Sequence, residues 1–306
     1  MKHLIIDCNN LYYRANYVTN LRDRKGKRIS GIFNTMKMLQ GLIKKFQPSN
    51  LIIVWDGGRS KERLEVYSEY KANRRVNQKE DDKIDLINQR DIIKEIFSHL
   101  PIKQLEIKNL EADDVIGYLS RILKGKKVII SNDNDFLQLI KKDVYLYLPY
   151  KDKLLSEKNI EMFLGFPVKY YVLWKCLVGD SSDNIKGIKG IGPKKANAII
   201  INKSKYKKKL PINSEELEIL NRNKYLISIG ALLDDGYKDI IRNKYISEKY
   251  KTDFNYNKVE MIFKKLRFKT LLYDFDYYWI YNFKKIRKSF YGKKNKEYKK
   301  EKIGSG

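Results

Sequence analysis

Cysteine and histidine are scarce in this chain, and their scarcity excludes several kinds of site. The 306 residues include two cysteines, Cys8 and Cys176, and two histidines, His3 and His99. Two cysteines cannot form a disulfide framework, and no cluster of Cys and His has the spacing of a zinc site. Neither histidine lies beside a nucleophile in the sequence, which disfavours Ser-His or Cys-His chemistry. We therefore expect a reduced, zinc-free protein.

Long apolar runs are also missing. No stretch approaches the roughly 18 consecutive apolar residues that suggest a membrane span. The apolar N-terminal run ends at Asp7 and lacks the pattern of a secretory signal. We expect a cytoplasmic protein without a membrane partner.

Acidic residues are outnumbered: 37 Asp and Glu face 64 Lys and Arg, for a formal net charge of +27. Such an excess favours a polyanionic partner such as nucleic acid. Biased codon usage is the alternative, because Lys, Asn, Ile and Tyr are abundant along the whole chain. Charge alone leaves both explanations open.

The acids that are present follow a pattern. Short apolar, β-branched runs at residues 2–7, 50–56 and 126–131 alternate with longer helical patterns, as buried parallel strands of an α/β domain do. Each run ends at or just before carboxylates: Asp7, Asp56, and the pair Asp133 and Asp135. Ligand sites of open α/β sheets lie outside the carboxyl ends of the strands, so one crevice could collect all four acids.

Two further segments carry acids. Residues 110–123 read as a helix that opens with Glu111, Asp113 and Asp114, and a Gly- and Ser-rich turn at residues 177–192 contains Asp180 and Asp183. Each acid alone is better explained as a turn residue or a helix-cap residue than as a metal ligand. Nine acids in five segments are harder to explain in that way.

Gathering these carboxylates without cations would raise their pKa values and cost stability. Hard divalent ions remove the conflict, and an all-oxygen site suits Mg²⁺ or Mn²⁺. Two such ions can activate water and stabilise the leaving oxygen in phosphodiester hydrolysis. The acids therefore indicate a two-metal site.

Basic and aromatic residues alternate between Asp56 and the acidic helix. If this stretch is helical, Lys71 shares a face with Arg74 and Arg75, where cations could stabilise a phosphate, and Tyr70 could stack on an unpaired base. A solvated helix with Glu–Lys pairs is the alternative, and the residues leave both open.

Glycines mark a second basic element. Gly187, Gly190 and Gly192 are followed by Lys194 and Lys195 at the start of an Ala- and Ile-rich helix. This pattern is typical of a helix-hairpin-helix that binds phosphate through backbone N–H groups, although a plain interhelical turn is also compatible with it.

The motifs IIDCNNLYYR, VWDGG, EYKANRR, LEADDVIGYL, SNDNDFLQL and GDSSDNIKGIKGIGPKKA resemble, in this order, those of the flap endonuclease and 5′-3′ exonuclease family. Phage-type 5′ nucleases and the 5′ nuclease domain of bacterial DNA polymerase I are the most similar members. The resemblance is strong from Leu4 to about Ile200 and weaker up to residues 262–272. Cys8 departs from it, since glycine is commoner there, and two adjacent arginines leave the register of EYKANRR ambiguous.

The resemblance implies a mostly parallel, PIN-like sheet flanked by helices over residues 1–168, with a helical arch at about 57–100. It implies a helical DNA-binding region at 169–283, whose helix-hairpin-helix (H3TH) element lies at about 180–203. The remaining residues, 284–306, are expected to be a disordered basic tail, since ten basic residues face two acids between positions 284 and 302.

The resemblance also assigns the acids and bases. The first Mg²⁺ would be surrounded by Asp7, Asp56, Asp113, Asp114 and Asp133, and the second by Asp135, Asp180 and Asp183, with Glu111 acting through waters. Lys71 and either Arg74 or Arg75 would contact the scissile phosphate, Tyr70 would stack on the terminal base, and Arg14 would touch DNA. The glycine hairpin would hold the duplex, with a K⁺ ion bridging to phosphate.

The expected substrates are 5′ flaps, 5′ ends of duplex DNA and RNA–DNA primers, and a DNA polymerase acting in trans is an expected partner of the monomer. Two alternatives stay open: a catalytically weak family member that only binds branched DNA, and a PIN-type RNA endonuclease. The complete set of nine acids disfavours the first, and the glycine hairpin disfavours the second.

Overall fold

A six-stranded sheet lies at the centre of the protein in the computed structural model, which describes residues 2–75, 80–206, 212–249 and 253–291. The strands run in the spatial order β3-β2-β1-β4-β5-β6, parallel except for β6. Their bounds are β1 (Lys2–Asp7), β2 (Asn50–Trp55), β3 (Lys103–Glu106), β4 (Lys126–Ile130), β5 (Val144–Leu148) and β6 (Lys153–Leu155). The predicted mostly parallel α/β sheet is confirmed.

Helices cover both faces of the sheet, which explains why its strands are apolar throughout rather than alternating. In β1, Ile5 packs into the core on one face, while Leu4 and Ile6 pack into the core on the other. In β2, Ile52 and Val54 likewise lie on the face of Ile5. Successive side chains of a strand point to opposite faces, so each strand contributes to two cores.

The helices of the described residues divide between these two faces. The face of Ile5 is covered by α5 and by the helices from α7 to α10, and the face of Leu4 by α1, α2, α4 and the helices from α11 to α13. The bounds are α1 (Cys8–Val18), α2 (Ser30–Phe46), α3 (Lys61–Val66), α4 (Glu80–Ser98), α5 (Ala112–Ile122), α6 (Ile160–Leu164), α7 (Tyr171–Val178), α8 (Pro193–Tyr206), α9 (Ser214–Ile227), α10 (Asp235–Lys249), α11 (Tyr256–Lys265), α12 (Lys269–Leu272) and α13 (Asn282–Tyr291). No helix among the described residues is long and apolar enough to cross a membrane.

The C-terminal boundary differs from the sequence prediction. The predicted disordered tail begins at residue 284, whereas α13 continues to Tyr291. Phe283 and Ile286 are buried in the core with α2 and α4. These two apolar residues stand among lysines in the sequence, and their burial stabilises the first part of the predicted tail as a helix. Residues 292–306 lie outside the described part of the chain.

The predicted arch is not one helix. After α3, residues 67–71 are non-helical, a short 3-10 helix follows at Ala72–Arg75, and α4 begins at Glu80. Lys71 has a φ of 54°, a left-handed conformation that is uncommon for a residue with a side chain. The expectation that Lys71 shares a helical face with Arg74 and Arg75 is therefore wrong. Tertiary hydrogen bonds override the local pattern: the Lys71 N–H donates to the Asp183 carbonyl, and Arg59 donates to the Lys71 carbonyl.

The glycine hairpin connects α7 to α8. Two-residue strands β7 (Gly179–Asp180) and β8 (Ile185–Lys186) form its first part, and α8 begins at Pro193 directly before Lys194 and Lys195, as predicted. A Cβ atom on Gly187 would lie 2.3 Å from the carbonyl carbon of Val178. Only glycine permits this approach of the hairpin to the end of α7.

Candidate metal centre and nucleic-acid interface

Three of the four predicted strand-end acids, Asp7, Asp56 and Asp133, lie at one edge of the sheet, because β1, β2 and β4 are parallel neighbours. Asp7 caps α1: its Oδ1 accepts the N–H of Asn10 at 3.1 Å, and its Oδ2 accepts the Ser131 hydroxyl at 2.9 Å. The strand order reverses at β1, and ligand sites of such sheets lie at that switch point.

Asp56 and Asp133 are also held by hydrogen bonds to their carboxylates. Asp56 accepts the N–H of Ala112 at 2.8 Å and the Asn9 amide at 2.7 Å. Asp133 accepts the N–H of Asp135 at 2.8 Å. Each acid is thus oriented by backbone or amide donors at a loop or helix start, which leaves the remaining lone pairs for other ligands.

The start of α5 brings two more acids to this edge and turns one away. Glu111 precedes the helix as its N-cap residue, and Asp113 and Asp114 lie in the first turn. Asp114 accepts both Arg63 nitrogens, at 2.5 and 2.9 Å, and also the N–H of Gly230 at 2.7 Å. Asp114 and Arg63 are both 2% exposed.

Asp114 is therefore in a buried ion pair, which differs from its predicted place among the ligands of the first ion. Adjacent helical residues point about 100° apart, and Asp114 is turned towards Arg63, whose NH1 also lies 3.4 Å from Glu111 Oε2. Arg63 has no assigned role in the sequence prediction. Its partner lies 51 residues further along the chain, and no local pattern indicates such a pairing.

The buried acids of the centre repel one another, and bound cations would reduce this repulsion. Loss of hydration and the nearby Asp56 raise the pKa of Asp7 to about 7. Loss of hydration and the nearby Asp133 raise the pKa of Asp113 well above its ordinary value and that of Asp135 to about 7. Glu111 Oε1 is buried and has no hydrogen-bond partner among the described residues. An unpartnered carboxylate oxygen beside mutually repelling acids is suited to hard divalent cations.

A second group of acids lies beside the first. Carboxylate oxygens of Asp135, Asp180 and Asp183 lie within 4.8 Å of one another, which is close enough for one ion to bind all three. Lys175 of α7 bonds to Asp135, and its Nζ lies 2.6 Å from Asp180 Oδ2. Burial alone would raise the pKa of Asp180, but this ammonium group holds it below its ordinary value. Lys175 is the second residue of the centre that the sequence prediction does not name.

The segment before α4 lies against both groups of acids. Lys71 Nζ lies 2.8 Å from Glu111 Oε2 and 3.8 Å from Asp183 Oδ2. Tyr70 is 2% exposed and donates its hydroxyl to Glu111 Oε2 at 3.0 Å. In this conformation Tyr70 is unable to stack on a base, contrary to the sequence prediction. Arg74 and Arg75 lie in the 3-10 helix, and their side chains are outside the described part of the structure.

The hairpin presents an exposed surface next to the acids. Gly190, Gly192, Lys194 and Lys195 are exposed, and Gly187 is half-buried. The first N–H groups of α8 and two ammonium groups thus lie at one helix end, an arrangement that binds phosphate.

Arg14 lies at a different margin of the same edge. Its guanidinium is 4.2 Å from the centre of the Tyr150 ring, and both residues line a pocket of about 210 Å³ with Asn132, Asn134 and Lys151. Polar and basic groups therefore continue from the acids along the carboxyl edge of the sheet.

Known proteins resemble this chain in sequence and in fold. Residues 2–165 match the family model described as 5′-3′ exonuclease, N-terminal resolvase-like domain. A 5′-3′ exonuclease of Buchnera aphidicola subsp. Acyrthosiphon pisum (strain APS) is 31% identical over 271 residues, covering 80% of this chain and 93% of the relative. A 5′-3′ exonuclease of Aquifex aeolicus (strain VF5) is 35% identical over 200 residues, covering 64% of this chain and 68% of the relative.

Two further proteins are similar to this chain, one in sequence and one in fold. DNA polymerase I of Lactococcus lactis subsp. cremoris (strain MG1363) is 28% identical over 280 residues, which cover 80% of this chain but 31% of the polymerase. The fold is similar to that of the bacteriophage T5 flap endonuclease, solved as a pseudo-enzyme–product complex with DNA and metal ions. That similarity has a TM-score of 0.68 at 21% identity and covers 81% of this chain and 99% of the other.

Proposed function

Because this chain belongs to the 5′-3′ exonuclease family, we propose that it is a structure-specific 5′ nuclease. It hydrolyses phosphodiester bonds at 5′ flaps and 5′ ends of duplex DNA, and in the RNA of primers, during replication or repair. The observation that carries the proposal is the convergence of eight acids at the carboxyl edge of the sheet, directly beside the exposed hairpin.

The carboxylates would hold two divalent ions, Mg²⁺ or Mn²⁺. The first would be held by Asp7, Asp56, Glu111, Asp113 and Asp133, and the second by Asp135, Asp180 and Asp183. When bound, such a pair of ions supplies an activated water and stabilises the leaving oxygen. Unpartnered Glu111 Oε1 and the raised pKa values of Asp7, Asp113 and Asp135 support this assignment.

The remaining groups position the substrate. Lys71 lies close enough to both groups of acids to stabilise charge on a phosphate held there. Lys194, Lys195 and the N–H groups of α8 hold the duplex backbone, with a K⁺ ion as an additional bridge, while Arg14 contacts DNA at the other margin. A cytoplasmic location, a DNA polymerase in trans and a monomeric state remain predictions from the sequence.

Cleavage of a labelled 5′-flap duplex in Mg²⁺ and in EDTA tests the proposal. We expect the wild type to cut near the junction in Mg²⁺ and not in EDTA. Asp133→Asn should lose this cutting and still bind the flap. Asp143→Asn is the matched control, because Asp143 is exposed and precedes β5 at the opposite edge of the sheet. Flap binding without cutting in Mg²⁺ would favour the weak branched-DNA binder, and preferential cutting of single-stranded RNA would favour the PIN-type RNA endonuclease.

A further inference from the structure

Lys175 is a cation inside the second group of acids. It lies on α7, five residues before Asp180, and its side chain is 10% exposed. The ammonium group bonds to Asp135 and lies 2.6 Å from Asp180 Oδ2. Both acids belong to the group of three whose oxygens could hold one ion. The ammonium group therefore binds one oxygen on each of two of the three carboxylates that a divalent ion would use.

The backbone that carries Lys175 is fixed from two sides. Trp174 donates its indole N–H to Asn197 of α8 at 2.6 Å, and Asn223 of α9 donates to the Cys176 carbonyl at 3.1 Å. The base of the Lys175 side chain is consequently held in place by its two neighbours in α7. Movement of the ammonium group relies on the flexible four-carbon stem of lysine.

An ammonium group and a divalent ion cannot occupy the same oxygens. A lysine ammonium has three donors and no lone pair, so it can neutralise the carboxylates but cannot take part in coordinating a metal. A divalent ion bound close to it would be repelled as well. Without any cation, Asp135 and Asp180 would be left as partly buried, neighbouring negative charges.

We propose that Lys175 is a positioning residue that substitutes for the second metal ion: it holds Asp135 and Asp180 together in the metal-free enzyme and is displaced when that ion binds. The displacement lowers the affinity for the second ion relative to the first. The two ions therefore bind in separate steps, with the first group of acids filled before the second. The inference rests on the proposed two-metal function.

Titration of metal-free protein with Mn²⁺ at pH 8.5, followed by calorimetry, tests the proposal. Lys175→Met is compared with wild type and with Lys158→Met, which removes the same charge from an exposed position. We expect two binding steps in the wild type and a weaker step that is roughly tenfold tighter in Lys175→Met, because a competing and repelling charge is gone. The stronger step and both steps of Lys158→Met stay unchanged.

A second measurement follows the thermal stability of the protein rather than its affinity for metal. The rise in Tm from EDTA to saturating Mn²⁺ should be larger in Lys175→Met than in either comparison protein, since only this variant leaves the acids without a cation. Lys175→Gln, which keeps a hydrogen-bond donor but no charge, should behave in the same way if Lys175→Met fails to fold.

An unchanged or weakened second step in the neutral variants would overturn the role of Lys175. A single Mn²⁺ step in the wild type would instead contradict the two-metal site on which the inference rests. Mg²⁺-dependent flap cutting by the wild type, measured in parallel, tests the proposed activity independently of both results.

Discussion

At the scale of single residues, the two aspartates that open α5 have different roles although they are neighbours in sequence. Asp113 faces Asp7 and Asp133, and its pKa is raised by loss of hydration and by Asp133. Asp114 is bound by the buried guanidinium of Arg63. Two substitutions of the same size and chemistry can therefore separate a metal-binding role from a structural one.

We expect Asp113→Asn to abolish Mg²⁺-dependent cutting without lowering the free energy of unfolding in EDTA, because it removes a repelling charge. Asp114→Asn should destabilise the fold by about 3 kcal/mol, because it removes the closer of the two carboxylates that contact the buried Arg63 and leaves only Glu111, 3.4 Å away. Urea unfolding in EDTA measures both effects. A stable Asp114→Asn variant that lacks activity would return Asp114 to the metal ligands.

The sequence indicates Asp113 but not Arg63 for a physical reason. Acids at strand ends and helix starts are predictable because local chain geometry places them, as with Asp7 and Asp133. Arg63 acquires its role through a partner 51 residues away, and Lys175 through one 40 residues away in addition to nearby Asp180. The stacking role predicted for Tyr70 differs from the structure for the same reason. An aromatic residue in a basic stretch indicates an exposed stacking group, yet the Tyr70 hydroxyl donates to the buried carboxylate of Glu111.

At the scale of elements, the local pattern succeeds where one segment determines its own structure. The apolar runs predict β1, β2 and β4, and the glycines followed by lysines predict the hairpin and the start of α8. The pattern fails for residues 67–71, where hydrogen bonds to the loop around Asp183 replace the expected helix. Asn184 donates to the Glu69 carbonyl there, and Asn73 to the Ser181 carbonyl.

The start of α8 yields a prediction about DNA affinity. Replacing Lys194 and Lys195 by alanine should weaken binding of a flap duplex and reduce the slope of log K against log salt by about 0.9 for each lost phosphate contact. The cutting rate at saturating DNA should change little, because neither lysine is among the acids or their partners. Filter binding across a salt series measures the slope.

The control for this prediction removes the same number of positive charges from a different surface. Lys37 and Lys44 are exposed on α2, which packs on the opposite face of the sheet, so their replacement by alanine removes the same two charges. If both pairs reduce the slope equally, the hairpin has no special role and binding reflects the overall charge of +27.

At the scale of the whole molecule, the central sheet combines buried apolar faces with an acidic edge. Its strands are buried on both faces by two sets of helices, while its carboxyl edge collects acids that repel one another. The C-terminal helices α11, α12 and α13 return to pack beside α2 and α4. The sequence indicates helices in that region but not which face of the sheet they cover, because only long-range packing decides it.

The repelling acids should make the stability of the protein depend jointly on pH and metal. Asp7 and Asp135 have pKa values of about 7 in the fold against 3.8 ordinarily. Their contribution to stability is complete below the ordinary value and is lost as the pH rises through 7. Burial lowers the pKa of His3 to about 4 from 6.5, so His3 acts in the opposite direction, but mainly below pH 6.5.

Between pH 6.5 and about 8, His3 is neutral in the fold and at most half protonated in the unfolded chain, so the two acids outweigh it and set the direction of the trend. In EDTA we expect Tm to fall across this window, because proton loss leaves neighbouring negative charges in the centre. Saturating Mg²⁺ should abolish the fall, since the ions favour the ionised carboxylates. The double variant Asp7→Asn with Asp135→Asn should show a shallower fall in EDTA, with Asp113, whose pKa is also raised, as a remaining contributor. A Tm in wild-type EDTA samples that rises over the window would mean that these two acids do not govern the metal-free fold.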